Sequence, residues 1–436
     1  MNKLVECRPE GRDVAGNGAA ELFEKRAITM DGSHNEHAND GGRRQFLKTA
    51  AAVSGAAAVA AADSVWADPP ASTVPMVTLG KTGQKVPVIG MGTSWDLSPS
   101  FVQAALHAGV RYIDTSESYE NGNCETTLGE VLERTKMRKD VYLVTKNSRG
   151  KVGGSRAFPT FERRLEASLE RLRTDYIDCY YLHGVEGKEI GLLSDPGVKA
   201  AFEKLKKSGK IKFCGLSCHD GRLPEIVTAA AESGWMDQIM IQYNYRTMTT
   251  DAVKKALDAA AKANLAIVAM KTQGSGHFEA AAGPSPKFQE FVDKGIKEQQ
   301  AAIKAVFADH RVHAVVSEMT NRDMLRENIE ASRDHTLTLR EQKQLDDYRR
   351  ATAHLYCHGC GQHCEPAAGG MPISDILRYL RYHEIYGKRQ RATELYQALP
   401  AAARNIAAAN LPAAAAACPH GLPIVELIER ADRTMG

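Results

Sequence analysis

The chain carries little net charge: 56 lysines and arginines face 53 aspartates and glutamates, a formal balance of +3. Its like-signed runs are short, such as Arg163-Arg164 and Lys206-Lys207. A basic face able to hold a nucleic acid is therefore excluded. Cysteine is scarce as well. Nine in 436 residues are too few for a disulfide scaffold, and they are unevenly spread, with four at positions 357, 360, 364 and 418. Long apolar runs are missing too. The Ala-rich run at 49–62 falls short of the roughly 20 apolar residues that span a bilayer. A second Ala-rich stretch at 401–417 is broken by Arg404, Asn405, Asn410 and Pro412. What remains, 43% hydrophobic and 25% charged residues, suits a globular protein with a large core plus appendages.

The first 42 residues are polar, rich in Gly, Asn, Asp and His, and without apolar periodicity, the composition of a disordered leader. Composition then shifts abruptly. Arg43-Arg44-Gln45-Phe46-Leu47-Lys48 precedes the Ala-rich run and a small-residue site ending at Ala67, which gives the three regions of a secretory signal. The paired arginines resemble the twin-arginine signal of proteins exported already folded. They imply a periplasmic or otherwise exported protein that meets a membrane only during export.

From about 86 to 331, short β-branched runs alternate with helical segments, the pattern of βα units on a parallel sheet. The runs fall at 86–90, 111–114, 141–146, 176–183, 212–217, 238–243, 266–271 and 314–317. Phe161, Leu165, Leu169 and Leu172 share one helical face between two of them. Eight such units predict an α/β fold, a (β/α)8 TIM barrel. A Gly- and Pro-rich loop at 272–287 follows the seventh run. After Thr338 the alternation stops and Ala-, Arg- and Tyr-rich helical sequence begins. The expected organisation is a leader and signal at 1–75, a barrel at 76–335 and a small helical, cysteine-containing extension at 336–436.

Asp114, Lys146 and His183 close predicted strands, and Tyr119 lies in the loop after Asp114. In a barrel these strand ends converge on the face that carries the chemistry. Singly, each is as well explained by a polar group that merely finishes a strand. Together they specify more. Ile113-Asp114-Thr115 followed by Tyr119-Glu120-Asn121-Gly122, then Val144-Thr145-Lys146, Ser168-Leu169-Glu170-Arg171-Leu172, Asp175-Tyr176-Ile177-Asp178 and Leu182-His183 resemble the aldo/keto reductase family in order and spacing over about 76 to 345.

That resemblance implies hydride transfer between NADP or NAD and a small carbonyl or alcohol substrate. Tyr119 would be the acid, Lys146 the charge that lowers its pKa, Asp114 the partner of Lys146, and His183 the group orienting the carbonyl. Implied cofactor contacts are Gly92, Thr93, Asp114, Ser217, Gln242, Met270, Lys271, Arg322, Glu327 and Asn328. The match departs in places: Cys218 stands where many members have Asn, and Met270 where they stack a tyrosine on the nicotinamide. Glu318 replaces a basic residue, and a carboxylate there repels a 2′-phosphate unless Arg322 or Arg326 compensates.

Cys357, Cys360 and Cys364 have C-x2-C-x3-C spacing, and Cys418 precedes Pro419, an arrangement suited to an iron–sulfur cluster or zinc. The tail resembles the ferredoxin-like domain on one branch of the same family, including Ile373 to Tyr379 and Tyr386-Gly387. Ala408, Leu411 and Ala414 supply no further thiols, so one 4Fe-4S cluster is the ceiling. His354, His358, His363 and His420 keep zinc as an alternative, and cysteines without metal, reduced or disulfide-bonded, are a third. Prefolded export suits a protein loaded with a cluster, yet free nicotinamide is scarce outside the cytoplasm. A non-catalytic cofactor-binding accessory and an iron–sulfur protein serving an electron-transfer partner therefore stand beside the enzyme.

Overall fold

The computed structural model describes residues 74–94, 97–147, 158–274 and 298–436. The leader and export signal, apart from 74 and 75, lie outside the described residues, as does the loop at 272–287 from residue 275 on.

The chain enters through an antiparallel hairpin of β1 (Met76–Thr78) and β2 (Lys85–Pro87). Eight parallel strands follow: β3 (Ile89–Gly92), β4 (Tyr112–Asp114), β5 (Tyr142–Asn147), β6 (Ile177–Leu182), β7 (Ile211–Cys218), β8 (Gln238–Gln242), β9 (Ala266–Met270) and β10 (Ala314–Glu318). They pair in sequence order, and β10 closes the ring between β9 and β3. The fold is a (β/α)8 barrel with a helical C-terminal extension. One expected strand is displaced. The run at 86–90 straddles two elements, because Pro87 cannot donate to a central ladder and ends the hairpin, so the barrel strand starts at Ile89. Gly80 brings the hairpin against the start of β9, where a Cβ would lie 2.6 Å from the Asn264 carbonyl. The hairpin thus closes the barrel at the N-terminal ends of its strands.

Side chains alternate along the strands with period two. Tyr112, Tyr142, Val144, Cys179, Tyr181, Met240, Val268 and Val316 pack in one cluster with Leu79 and Val86 of the hairpin region. Their neighbours Ile113, Leu143, Tyr180, Leu182, Leu216, Ile239, Ile241, Ile267 and Val315 pack under the helices. Because both faces are covered, the strands read as nearly continuous apolar runs. Gln238 is one of the buried polar exceptions. It donates to the hydroxyls of Tyr112 (2.6 Å) and Tyr181 and accepts from Tyr142 at 2.8 Å, which satisfies a group that would otherwise cost free energy inside the barrel.

The described helices on the outside are α1 (Pro99–His107), α2 (Asn123–Thr135), α3 (Phe158–Leu172), α4 (Pro196–Lys207), α5 (Leu223–Ser233), α6 (Asp251–Lys262), α7 (Glu298–Phe307) and α8 (Arg322–Arg333). Helix α9 (Leu339–Ala351) opens with a capping box of Thr338 and Glu341. Its Leu345 and Tyr348 pack with Ala301, Ala302 and Ala305 of α7. A separate apolar core begins at Cys364 and is built from α10 (Cys364–Ala367), α11 (Ile373–Glu384), α12 (Arg389–Gln397), α13 (Leu411–Ala417) and α14 (Ile424–Met435). Among the described residues no helix is long and apolar enough to cross a membrane.

Candidate active site

Asp114 ends β4 and Lys146 lies in the adjacent β5, so parallel pairing sets both at the C-terminal mouth of the barrel. The Lys146 Nζ donates to Asp114 Oδ2 at 2.6 Å, to the Thr115 carbonyl at 2.6 Å and to the Tyr119 hydroxyl at 3.3 Å. Both charged side chains are almost fully buried, at 1% and 5% exposure. Burial raises the Asp114 carboxyl against the pull of Lys146, and it lowers Lys146 against the pull of Asp114 and Glu125. Desolvation thus works on both partners toward neutrality.

Tyr119 is followed by Glu120 and Asn121 in left-handed backbone conformation (φ 47 and 54) and by Gly122 at φ 93. Non-glycine residues rarely adopt that region, so this turn fixes where the phenol points. The sequence reading made Lys146 the group that lowers the Tyr119 pKa. In the folded site the direction is reversed: burial first, then Asp114, Tyr382 and Glu318, hold the phenol well above its usual value. His183 follows β6, and its ring meets Tyr119 edge-on at 5.6 Å between centroids. Its Nδ1 lies 3.1 Å from the Ser116 hydroxyl, which fixes the ring.

Ser116 and Glu125 carry no motif that would flag them. Glu125 is completely buried, accepts from Thr145 at 2.5 Å and pairs with Arg171 at 2.7 Å. It thereby anchors the strand that carries Lys146.

The residues read as cofactor contacts are dispersed around the same mouth, several already in use. Thr93 donates to the Asp114 carbonyl through both its amide and its hydroxyl, at 3.0 and 3.1 Å, and Gly92 lies beside Val316. The Ser217 hydroxyl accepts from the Gly184 amide at 2.9 Å, and the Gln242 amide donates to the Tyr356 hydroxyl at 2.9 Å. Met270 packs on the barrel interior. Lys271, at φ 55, donates to the Tyr382 hydroxyl at 3.2 Å. Arg322 begins α8, the Glu327 carbonyl accepts from Gln300, and Asn328 donates to Ser317 at 3.0 Å.

Arg326 does not compensate Glu318, because it pairs with Asp323 and Glu330 of its own helix. The cation comes from the extension instead: Lys388 donates to both Glu318 oxygens at 2.6 Å. Tyr356, Tyr382, Lys388 and Arg378 thus reach the barrel mouth from helical sequence with no local sign of such a role.

The cysteines meet in the extension. Cys357 and Cys360 lie in the loop before α10, Cys364 starts α10, and Cys418 caps α13. The two segments touch where the His358 and His420 rings stack at 4.0 Å. Burial raises the Cys360 thiol to about 11 and the Cys364 thiol to about 12, and each also feels Cys357 and Cys418. None of the eight described cysteines is disulfide-bonded in this structure. Among the described residues no group of three or more His, Cys, Asp or Glu is disposed to hold a metal ion.

A barrel with an aspartate, a tyrosine, a lysine and a histidine gathered at the C-terminal ends of its strands has the layout of a barrel enzyme. The sequence model of the aldo/keto reductase family matches residues 92–350, and the chain belongs to that family. It is similar to the uncharacterized oxidoreductase YqkF of Bacillus subtilis, 26% identical over 289 residues, 60% of this chain and 90% of the relative. It is similar also to L-galactose dehydrogenase of Arabidopsis thaliana, 25% identical over 279 residues, 58% of this chain and 86% of that one. Of solved structures, an aldo-keto reductase from Klebsiella pneumoniae in complex with NADPH matches with a TM-score of 0.51 at 24% identity, covering 63% of this chain and 95% of its own. That likeness is one of fold.

Proposed function

We propose that the chain is an exported NAD(P)H-dependent reductase of small carbonyl compounds, working through Asp114, Tyr119, Lys146 and His183. The observation that carries this reading is the buried Lys146 Nζ, bonded at once to Asp114 and to the Tyr119 hydroxyl. When bound, a reduced nicotinamide supplies the hydride that the carbonyl carbon accepts. Tyr119 gives its proton to the carbonyl oxygen, and Lys146 stabilises the phenolate left behind. His183, fixed by Ser116, orients the oxygen. A phenol held above its usual pKa stays protonated through the neutral range, the form needed to donate to the carbonyl oxygen.

The mouth fits a nicotinamide in residue type. Ser217 and Gln242 lie on the paired strands β7 and β8 and offer a hydroxyl and an amide to a carboxamide. Glu318, the unfavourable neighbour of a 2′-phosphate, is neutralised by Lys388.

We propose one 4Fe-4S cluster on Cys357, Cys360, Cys364 and Cys418 from their sequence spacing, although as placed no described group of three or more His, Cys, Asp or Glu is disposed to hold a metal ion. Four mutually interacting thiols at ferredoxin-like spacing support this reading. Zinc would draw its thiolates to about 2.3 Å from a single centre, tighter than a cluster requires. Cys357 lines the same cavity as Gln242 and Lys271, which favours a second reading in which the cluster passes electrons at this site. Substitution Tyr119→Phe tests the reductase: carbonyl reduction should fall by about 10²–10⁴-fold with nicotinamide binding nearly unchanged. Retention of more than about a tenth of kcat refutes the assignment.

A further inference from the structure

The cavity where the extension meets the barrel mouth has a cationic wall. Lys271 and His219 come from the barrel, and Arg378, Arg381 and Tyr382 from α11. Lys271 sits in the left-handed backbone region at φ 55, a conformation that long side chains seldom adopt and that persists where the surroundings hold it. Its hydrogen-bond partner is the neutral Tyr382 hydroxyl at 3.2 Å, and it forms no ion pair among the described residues. The Arg381 Nη2 donates to the Cys357 carbonyl at 2.9 Å. Arg378 lies 3.4 Å from His219 Nδ1.

Two carboxylates share these walls. Asp375 is paired with Arg378 at 2.7 Å, and Asp220 accepts from the Arg222 amide at 2.8 Å. Lys388 is not part of the surplus, since it faces Glu318. Three cations therefore meet two carboxylates, one committed to a backbone amide. The resulting field is visible in its effects. Burial works to raise the Tyr382 hydroxyl, but Lys271, Arg378 and Arg381 more than offset it and bring it down to about 8. Burial, with Lys271, Arg378 and His183, pushes His219 well below its usual value. Asp114, Tyr119, Lys146 and His183 do not themselves line the cavity, but a Cβ at Gly184, the residue after His183, would lie 3.8 Å from His219 Nε2, so this wall adjoins the strand end that carries His183.

We infer that the extension builds a carboxylate-binding subsite from Lys271, Arg378 and Tyr382, which moves Lys271 from the cofactor to the substrate, and that the substrate is an oxo acid whose carbonyl reaches Tyr119 while its carboxylate meets this wall. The inference rests on the reductase reading for the carbonyl end only. Arginine and lysine donors to a carboxylate form the stronger class of hydrogen bond, and the extension thereby becomes the element that selects the substrate by charge.

The test compares kcat/KM of the full chain for 4-oxobutanoate and for butanal, with calorimetric binding of glutarate as a probe that needs no turnover. Wild type should prefer 4-oxobutanoate by about tenfold or more and bind glutarate, and Arg378→Met should lose about tenfold of both, as expected for a charged hydrogen bond. Arg378→Lys, which keeps the charge, should retain most of the preference, separating a lost cation from a disturbed fold. If both aldehydes are reduced equally and glutarate does not bind, the subsite is refuted and the reductase stands. If neither aldehyde is reduced but glutarate binds to wild type and about tenfold more weakly to Arg378→Met, the subsite stands and the reductase reading falls.

Discussion

Replacing Lys146 by Met probes the centre of the site, and its cost can be worked from the geometry. The substitution removes a buried ammonium that donates to Asp114, Thr115 and Tyr119. The other Asp114 oxygen, Oδ1, is already buried without a hydrogen-bond partner, so the carboxylate would be left desolvated and unpaired. Breaking a buried pair on one side costs about 3–5 kcal/mol. Protonation sets a ceiling on the charge penalty. Starting from an ordinary carboxylate pKa of about 3.9, neutralising Asp114 at pH 7 costs about 4 kcal/mol, and at pH 5 about 1.5 kcal/mol. The sign follows from proton linkage. Burial already raises the Asp114 carboxyl in the wild type, and without Lys146 its folded pKa rises further above the unfolded value, so the folded state binds the extra proton. Stability is then fully present below the unfolded pKa and lost as pH rises through the folded one. The deficit relative to wild type should therefore shrink from about 4 kcal/mol at pH 7 to about half that or less at pH 5. Equilibrium urea unfolding followed by circular dichroism measures it, with Asp114→Asn added to Lys146→Met as the check. A deficit that does not change with pH, or a double variant no more stable than the single one at pH 7, would refute the reasoning.

Two further outcomes are expected. Anaerobically purified protein should contain about four irons with matching acid-labile sulfide, lost or converted in Cys418→Ala; one zinc without sulfide would replace the cluster by a tetrahedral site. Replacing Arg43 and Arg44 together by Lys should stop export of an otherwise folded protein, and normal periplasmic accumulation would end the twin-arginine reading.

Asp114, Lys146 and His183 were legible because a barrel sends every strand end to one face, so a polar residue closing a β-branched run has a predictable destination. Tyr119 needed the family resemblance, since nothing in a loop residue's spacing says where it points. Its pKa direction was misread from sequence: it depends on how deeply the phenol is buried and on which neighbours share that burial, neither of which is local. The first strand was misplaced because Val86 to Gly90 looks continuous, although Pro87 divides it between two sheets. The contribution of the extension was illegible for another reason. Tyr356 bonds Gln242 across 114 positions and Tyr382 bonds Lys271 across 111, and a helical pattern tells which face is apolar but not which polar residue faces a distant partner. Glu318 shows the same limit, having looked like a defect until its lysine arrived from the extension.

The junction of barrel and extension sets a condition on redesign. At Gly221, in the loop after β7, a Cβ would lie 1.8 Å from the Gly359 carbonyl and 2.3 Å from the Cys360 Cα, a clash of backbone with backbone that no rotamer change relieves. Grafting this extension onto another barrel of the family therefore starts with that loop position. Any side chain there would hold the cysteine loop off the strand ends and leave two well-folded halves side by side with no shared site.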